Sequence, residues 1–258
     1  MNIFASSRWV KISGALFVTA FLVIGMFFYW QTTSLPVRAE QVKVSASPAA
    51  LVASDLEYKT DRSTGRVDFL AGKVSSIPIK ASGLAELNSE AVAGQFLAEY
   101  GSYFGLSNYK KELVQVKSSQ DNLGMSHIVY NQTYNGLPVY GGQLIVHLGT
   151  DNSVKSANGQ VVPEIDLDIS PKITRQQAVE IAKSKWQKQF QLEKAQVIMA
   201  NLRVFNKGLV ESRPGQSSQL VWTVELYDKD AHQHEYYFID ARQGDLVYQI
   251  TGNKDISR

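Results

Sequence analysis

The sequence predicts an α+β protein of two small domains, each a helix packed on an antiparallel sheet, placed after an N-terminal membrane helix or signal. Three observations lead there. A helical pattern followed by alternating strands occurs twice in succession. The 44% apolar and 19% charged content is that of a chain with a packed core. The length of 258 residues suits two domains, since single domains cluster near ~100–150 residues.

The first forty residues differ from the rest. Arg8 and Lys11 precede Ile12 to Trp30, nineteen residues without a charge. At 1.5 Å per residue such a helix covers roughly 28 Å of bilayer, nearly a full span. The length points to an anchor, because secretory signals carry an apolar region of ~7–15 residues. Val37 and Ala39, after a helix-ending Pro36, fit the small-residue positions before a cleavage site. Both outcomes export everything after residue 40: membrane-anchored facing outside, or secreted if cleaved after Ala39. Arg8, Lys11 and Arg38 all precede the first acid, Glu40, so the remainder carries 23 basic against 24 acidic side chains. The basic excess therefore belongs to the targeting segment and gives no argument for a nucleic-acid partner. The chain has no cysteine, so no disulfide supports the exported part.

Residues 40–54 are small and polar without a sustained period and read as a linker. From Leu56, two strands flank a Ser-Thr-Gly turn. A helix follows: Val92, Phe96, Tyr100 and Tyr103 recur at helical spacing, Asn88 or Ser89 can cap the start, and Gly105 can take the left-handed conformation that ends it. "LVQVKSS", "HIVYNQTYN", "LPVYGGQLIVHL" and "VKSANGQVV" then read as a meander. The second cycle opens on a helix in which Thr174 and Gln177 stand in the capping-box relation and Val179, Ala182, Trp186 and Phe190 form one apolar face. Four strands follow, the last two joined at Gln243-Gly244. The expected boundaries are 1–39 for the anchor or signal, 40–54 for the linker, 55–168 and 169–251 for the domains, and 252–258 for a tail.

One glycine-rich stretch invites a chemical reading. Asn135-Gly136 is a hairpin signal, because both residues accept positive φ cheaply. Pro138 then belongs at the first position of the returning strand, and Gly141-Gly142 inside that strand implies a bulge or a close backbone approach. A phosphate loop would need glycines leading into a helix, whereas these lead into apolar strand residues. The physics points to a sheet corner. On the strand before it, Ile128, Tyr130, Gln132 and Tyr134 share one face, with His127, Val129, Asn131 and Thr133 on the other.

The residues His127, Gln132, Asn135, Gly136, Pro138, Val139, Gly141, Gly142 and His147, at this spacing, resemble the fungalysin/thermolysin propeptide motif of thermolysin-like zinc metallopeptidase pro-regions. The second cycle, with Asp240, Ala241 and Gly244 after its tyrosine-rich strand, resembles the PepSY domain that follows the motif in such pro-regions. The resemblance implies a non-catalytic pro-region, stand-alone or part of a truncated precursor, that inhibits a thermolysin-like catalytic domain and assists its folding, in cis or in trans. The alternative is a membrane-tethered envelope binding module with no peptidase partner, held by Ile12 to Trp30.

These residues offer no enzyme chemistry of their own. No H-E-x-x-H occurs, there is no thiol nucleophile, and neither a G-x-S-x-G elbow nor a Walker loop is present. No cofactor is expected. His232 and His234 offer two imidazoles but lack a third convergent ligand, and "DKDAHQHE" also reads as a polar turn. His127 and His147, near the far ends of paired strands, suit structural hydrogen bonding or a proton-linked switch.

Overall fold

A computed structural model of the chain describes residues 55–80 and 87–252. The anchor or signal, the linker and the tail after Gly252 lie outside the described residues. Among the described residues no helix is long and apolar enough to cross a membrane.

The fold is strand-rich with few helices. Strands β1 (Leu56–Thr60) and β2 (Val67–Gly72) pair antiparallel across a turn built on Asp61. The Asp61 carboxylate is buried and accepts from the Ser63 and Thr64 N–H groups at 2.9 Å each. Helix α1 (Ser89–Tyr100) starts where Asn88 accepts from the Ala91 N–H. Its end is drawn out by a 3₁₀ turn, Gly101–Phe104, before Gly105 stops it at φ 98°. A single helical turn, α2 (Tyr109–Glu112), leads into β3 (Leu113–Gln120). Strands β4 (Ser126–Tyr134), β5 (Leu137–Leu148) and β6 (Val154–Gln160) complete a six-stranded sheet in the order β1-β2-β6-β5-β4-β3.

Alternation decides which face that sheet buries. Ile128 and Tyr130 on β4, Leu144, Val146 and Leu148 on β5, and Ala157 on β6 lie under Val92, Phe96, Leu97 and Phe104 from the helical segment. The fully buried Phe96 ring stacks on Tyr100 at 5.3 Å and meets Phe104 edge-on at 6.4 Å.

The second half repeats the plan. Helix α3 (Arg175–Phe190) carries the full capping box: Thr174 accepts from the Gln177 N–H, and the Gln177 side chain accepts from the Thr174 N–H. It lies on β7 (Gln196–Asn206), β8 (Ser218–Asp228) and β9 (Gln233–Asp240), with β10 (Leu246–Thr251) at the edge. Its buried Ala178, Val179, Ala182 and Trp186 pack on Ala200, Val224, Leu226, Tyr237 and Ile239. A one-turn helix, α4 (Lys207–Glu211), follows β7.

The described residues all fall within one compact unit, because β5 serves both halves. Beyond Gly142 it runs between β4 and β6; before it, the side opposite β4 meets β7, in parallel, at Val139↔Val204. A third cluster of buried residues, Val139, Val162, Val204 and Leu209, fills this junction.

Trp186 is 1% exposed and central to the second core. Trp186→Ala is expected to lower stability by about 3–5 kcal/mol in denaturant unfolding, and Thr174→Ala by about 1 kcal/mol through loss of the cap.

Candidate functional site: the β4–β5 hairpin and its corner

The hairpin turn is as tight as Asn135-Gly136 allows, with φ of 48° and 83°. Its first rungs, Tyr134↔Leu137 and Thr133↔Pro138, place the proline at the start of the returning strand. The register then breaks. Two steps on β4, Asn131 to Thr133, face five on β5, Pro138 to Gln143, so β5 carries three extra residues at the corner.

The two glycines at this corner have different reasons to be there. Gly141 adopts φ +77°, a left-handed conformation that a side chain would strain. Gly142 has no such φ but lies against Gln132: a Cβ there would come 2.7 Å from Gln132 Oε1 and 2.8 Å from its Cβ. Space, and not backbone freedom, makes residue 142 a glycine.

The side chain that occupies this space does the work of a strand. Gln132 is 1% exposed. Its Nε2 donates to the Val162 carbonyl at 2.7 Å and its Oε1 accepts from the Val162 N–H at 2.8 Å. This amide closes a two-bond rung with the segment just past the end of β6, satisfying backbone groups that burial would otherwise leave without partners. Val139 and Val162 pack beside it in the junction cluster.

At the far end of the hairpin His127 faces His147 directly. Their Nδ1 atoms are 2.7 Å apart, His127 Nε2 is 3.0 Å from Asp121 Oδ2, and His147 Nε2 is 2.6 Å from Asn158 Oδ1. The Asp121 carboxyl is held below the usual carboxylate range, first by the hydrogen bond from His127 and then by the Met125 N–H.

The second motif also builds a corner. Asp240 Oδ1 accepts from the Arg242 and Gln243 N–H groups at 2.7 Å each, and Gly244 closes the turn at φ 81°. The buried Ala241 carbonyl accepts from the Lys172 and Ile173 N–H groups, which ties this turn to the entry of α3. His232 and His234 part company: His232 occupies a turn at φ 52°, while His234 bonds Glu225 at 2.7 Å. Among the described residues no group of three or more His, Asp or Glu side chains is arranged to hold a metal.

Sequence reasoning missed Asp121, Asn158 and Val162. Asp121 meets His127 from the β3–β4 turn, six positions earlier, Asn158 reaches His147 from β6 across the β5–β6 pairing, and Val162 meets Gln132 by its backbone, which carries no side-chain signal.

The fungalysin/thermolysin propeptide motif matches residues 111–161, the segment from α2 to just beyond β6. The chain is 26% identical over 189 residues to the hemagglutinin/proteinase of Vibrio cholerae, covering 71% of this chain and 30% of that protein. It is 28% identical over 166 residues to bacillolysin of Brevibacillus brevis, covering 60% and 30%, and 24% identical over 182 residues to the neutral protease of Vibrio proteolyticus, covering 69% and 29%. The chain thus spans less than a third of the length of these relatives. Among solved structures, the Bacillus megaterium YpeB C-terminal domain aligns over 73% of each chain at 16% identity and a TM-score of 0.37. Residues 111–161 therefore carry a propeptide motif, a non-catalytic type of region, within a stretch related to thermolysin-like peptidases.

Substitutions at the corner separate its two glycines. Gly142→Ala is expected to cost about 1–3 kcal/mol through the clash with Gln132, and Gly141→Ala about 1–2 kcal/mol through its left-handed backbone. Gln132→Met should cost about 2–3 kcal/mol by leaving both Val162 groups unpaired. The double variant Gly142→Ala with Gln132→Met, measured by urea unfolding, is expected to lose less than the sum of its parts.

Proposed function

We propose that this chain is a pro-region-like protein that binds a thermolysin-like metallopeptidase, inhibits it and assists its folding, in cis or in trans. The observation that carries the reading is the propeptide motif at residues 111–161. Its Asn135, Gly136, Pro138, Gly141 and Gly142 shape a hairpin turn and a sheet corner, and the reading is one of action through a binding surface. The second half, with Asp240, Ala241 and Gly244, is read as a PepSY-like domain on its sequence pattern. The protein is exported, and Ile12 to Trp30 hold it at a membrane unless it is cleaved after Ala39.

Inhibition needs a face large enough to cover a catalytic cleft, and stable inhibitor interfaces bury about 1,600 Å² in total. Among the described residues strands β1, β3 and β10 each pair on one side only, edges suited to an extended segment of a partner. On β3, Val114 and Val116 are each 51% exposed, apolar groups at an edge ready for such pairing.

The full chain should show no peptidase activity with or without zinc, yet slow a thermolysin-like peptidase of its own organism at nanomolar to micromolar concentration, roughly the range for such interfaces. Gly252 still belongs to the sheet, its N–H donating to the His234 carbonyl at 2.8 Å. Removing residues 253–258 should therefore weaken inhibition while leaving thermal melting unchanged. Failure to inhibit any such enzyme at high micromolar concentration would replace this reading with the tethered binding module. The tether has its own test: the protein should remain with membranes after carbonate washing, and a soluble mature form beginning at Glu40 would contradict it.

A further inference from the structure

We propose that the side of the second sheet opposite α3 is a docking surface for a protein segment that presents one carboxylate between apolar side chains, with Arg203 as its counter-charge. The inference goes beyond strand-edge pairing and is independent of whether the partner is a peptidase. Alternation along the strands gives this side its floor. Phe205 of β7, Val221 of β8 and Phe238 of β9 are fully buried there, packed against Tyr140, Tyr236 and Tyr248. Tyr140 comes from β5, just before the Gly141-Gly142 corner, and its ring meets Phe238 edge-on at 4.7 Å. From α4 come Val210 and Lys207, whose Nζ stands 5.6 Å from the centre of the Tyr248 ring. The corner therefore brings both halves to this surface.

Arg203 lies on this side, opposite Val221 in the β7–β8 pairing, and is half-buried. Among the described residues it has no ion pair: its buried Nε has no hydrogen-bond partner, and Nη2 reaches the Met199 sulfur at 3.9 Å. A guanidinium carries five donors, and holding one partly out of water without a carboxylate is costly. Thr223, on the same side of β8 as Val221, is fully buried and its hydroxyl is likewise without a partner. The Tyr140 and Tyr248 hydroxyls donate to no group among the described residues. Burial pushes the Tyr140 phenol above its ordinary value, against the opposing pull of the Arg203 charge, so it stays a protonated donor.

The other charges on this side are already engaged. Glu225 Oε1 is 2.7 Å from His234 Nε2 and accepts from the Tyr236 hydroxyl at 3.2 Å. Asp240 Oδ1 accepts the Arg242 and Gln243 N–H groups of its own turn. Lys207 pairs with Glu211 at 3.5 Å. One cation is left over, and one carboxylate matches it, whereas the larger charge of a phosphate would be opposed by Glu225 and Asp240. A carboxylate seated on the guanidinium forms charge-assisted hydrogen bonds that offset the desolvation of Arg203. The aromatic floor asks for apolar side chains on either side of that carboxylate, and tyrosine with arginine is the composition that anchors protein interfaces.

The probe is the blocked peptide acetyl-Gly-Leu-Glu-Leu-Gly-amide, titrated by NMR against the full chain with arginine-selective ¹⁵N labelling. The Arg203 Nε–H signal is identified by its loss in Arg203→Met. It should shift on titration with an affinity in the ~millimolar range of so short a contact. The same peptide with glutamine in place of glutamate should bind about tenfold more weakly or worse. Arg203→Met removes an unpaired charge from a half-buried place and keeps an apolar stem, so its melting temperature should equal or exceed that of the unmodified chain. A purely structural role for Arg203 predicts a lower one. The titration needs no peptidase, so its outcome stands apart from the inhibition assay. An unmoved Arg203 signal, equal binding of the two peptides or a lowered melting temperature of Arg203→Met would overturn the proposal. So would an equal response to acetate alone, which marks a site for small carboxylates, or a dimer that dissociates in Arg203→Met, which gives the surface to a second copy of the chain.

Discussion

The two hydrogen bonds between the Gln132 side chain and the Val162 backbone are the constraint on which the rest of the structure depends. They fix the point where β6 ends and the chain turns toward the second half. They also demand a glycine at 142, because no Cβ fits beside the Gln132 amide. The three extra residues of β5 lie next to this contact, and there the side of β5 opposite β4 changes its neighbour from β6 to β7. A strand that changes sheets at a bulge is a known way to join sheets through one element.

The size of the bulge matters as much as its place. A two-residue turn at Asn135-Gly136 with no interruption would set His127 opposite Leu144. The corner shifts the register by three, an odd number, which moves each later β5 residue to the other face. Ile128 and Tyr130 therefore meet Val146 and Leu144 in the core, and His127 meets His147 on the outer face. One deviation thus positions the apolar core and the histidine pair together. The motif's spacing is an account of this geometry.

What the sequence revealed depended on how local the cause was. The Asn135-Gly136 turn, the stop at Gly105 and the Thr174–Gln177 box were legible because each is decided by residues within a few positions of one another. The faces of β4 and of α3 were legible because period alone sets them. The one-turn helices Tyr109–Glu112 and Lys207–Glu211 were not, since four or five residues are too few to show a helical period. Nor was the reason for Gly142: its neighbour Gln132 is ten positions away on another strand, and Gln132 in turn finds Val162 thirty positions further on. The bulge was expected at Gly141-Gly142, but its length, and with it the pairing of His127 with His147, is a property of tertiary pairing.

If the corner holds the two halves as one unit, the amide most informative about it is that of Val162. Hydrogen exchange on the full chain, read at this N–H under native conditions, tests the point directly. The predicted result is protection equal to that of the slowest amides of β5 and β8, with all three exchanging only on global unfolding. Exchange at Val162 many-fold faster, while β5 and β8 remain protected, would show that the Gln132 rung opens on its own and would contradict its role as the joint of the fold.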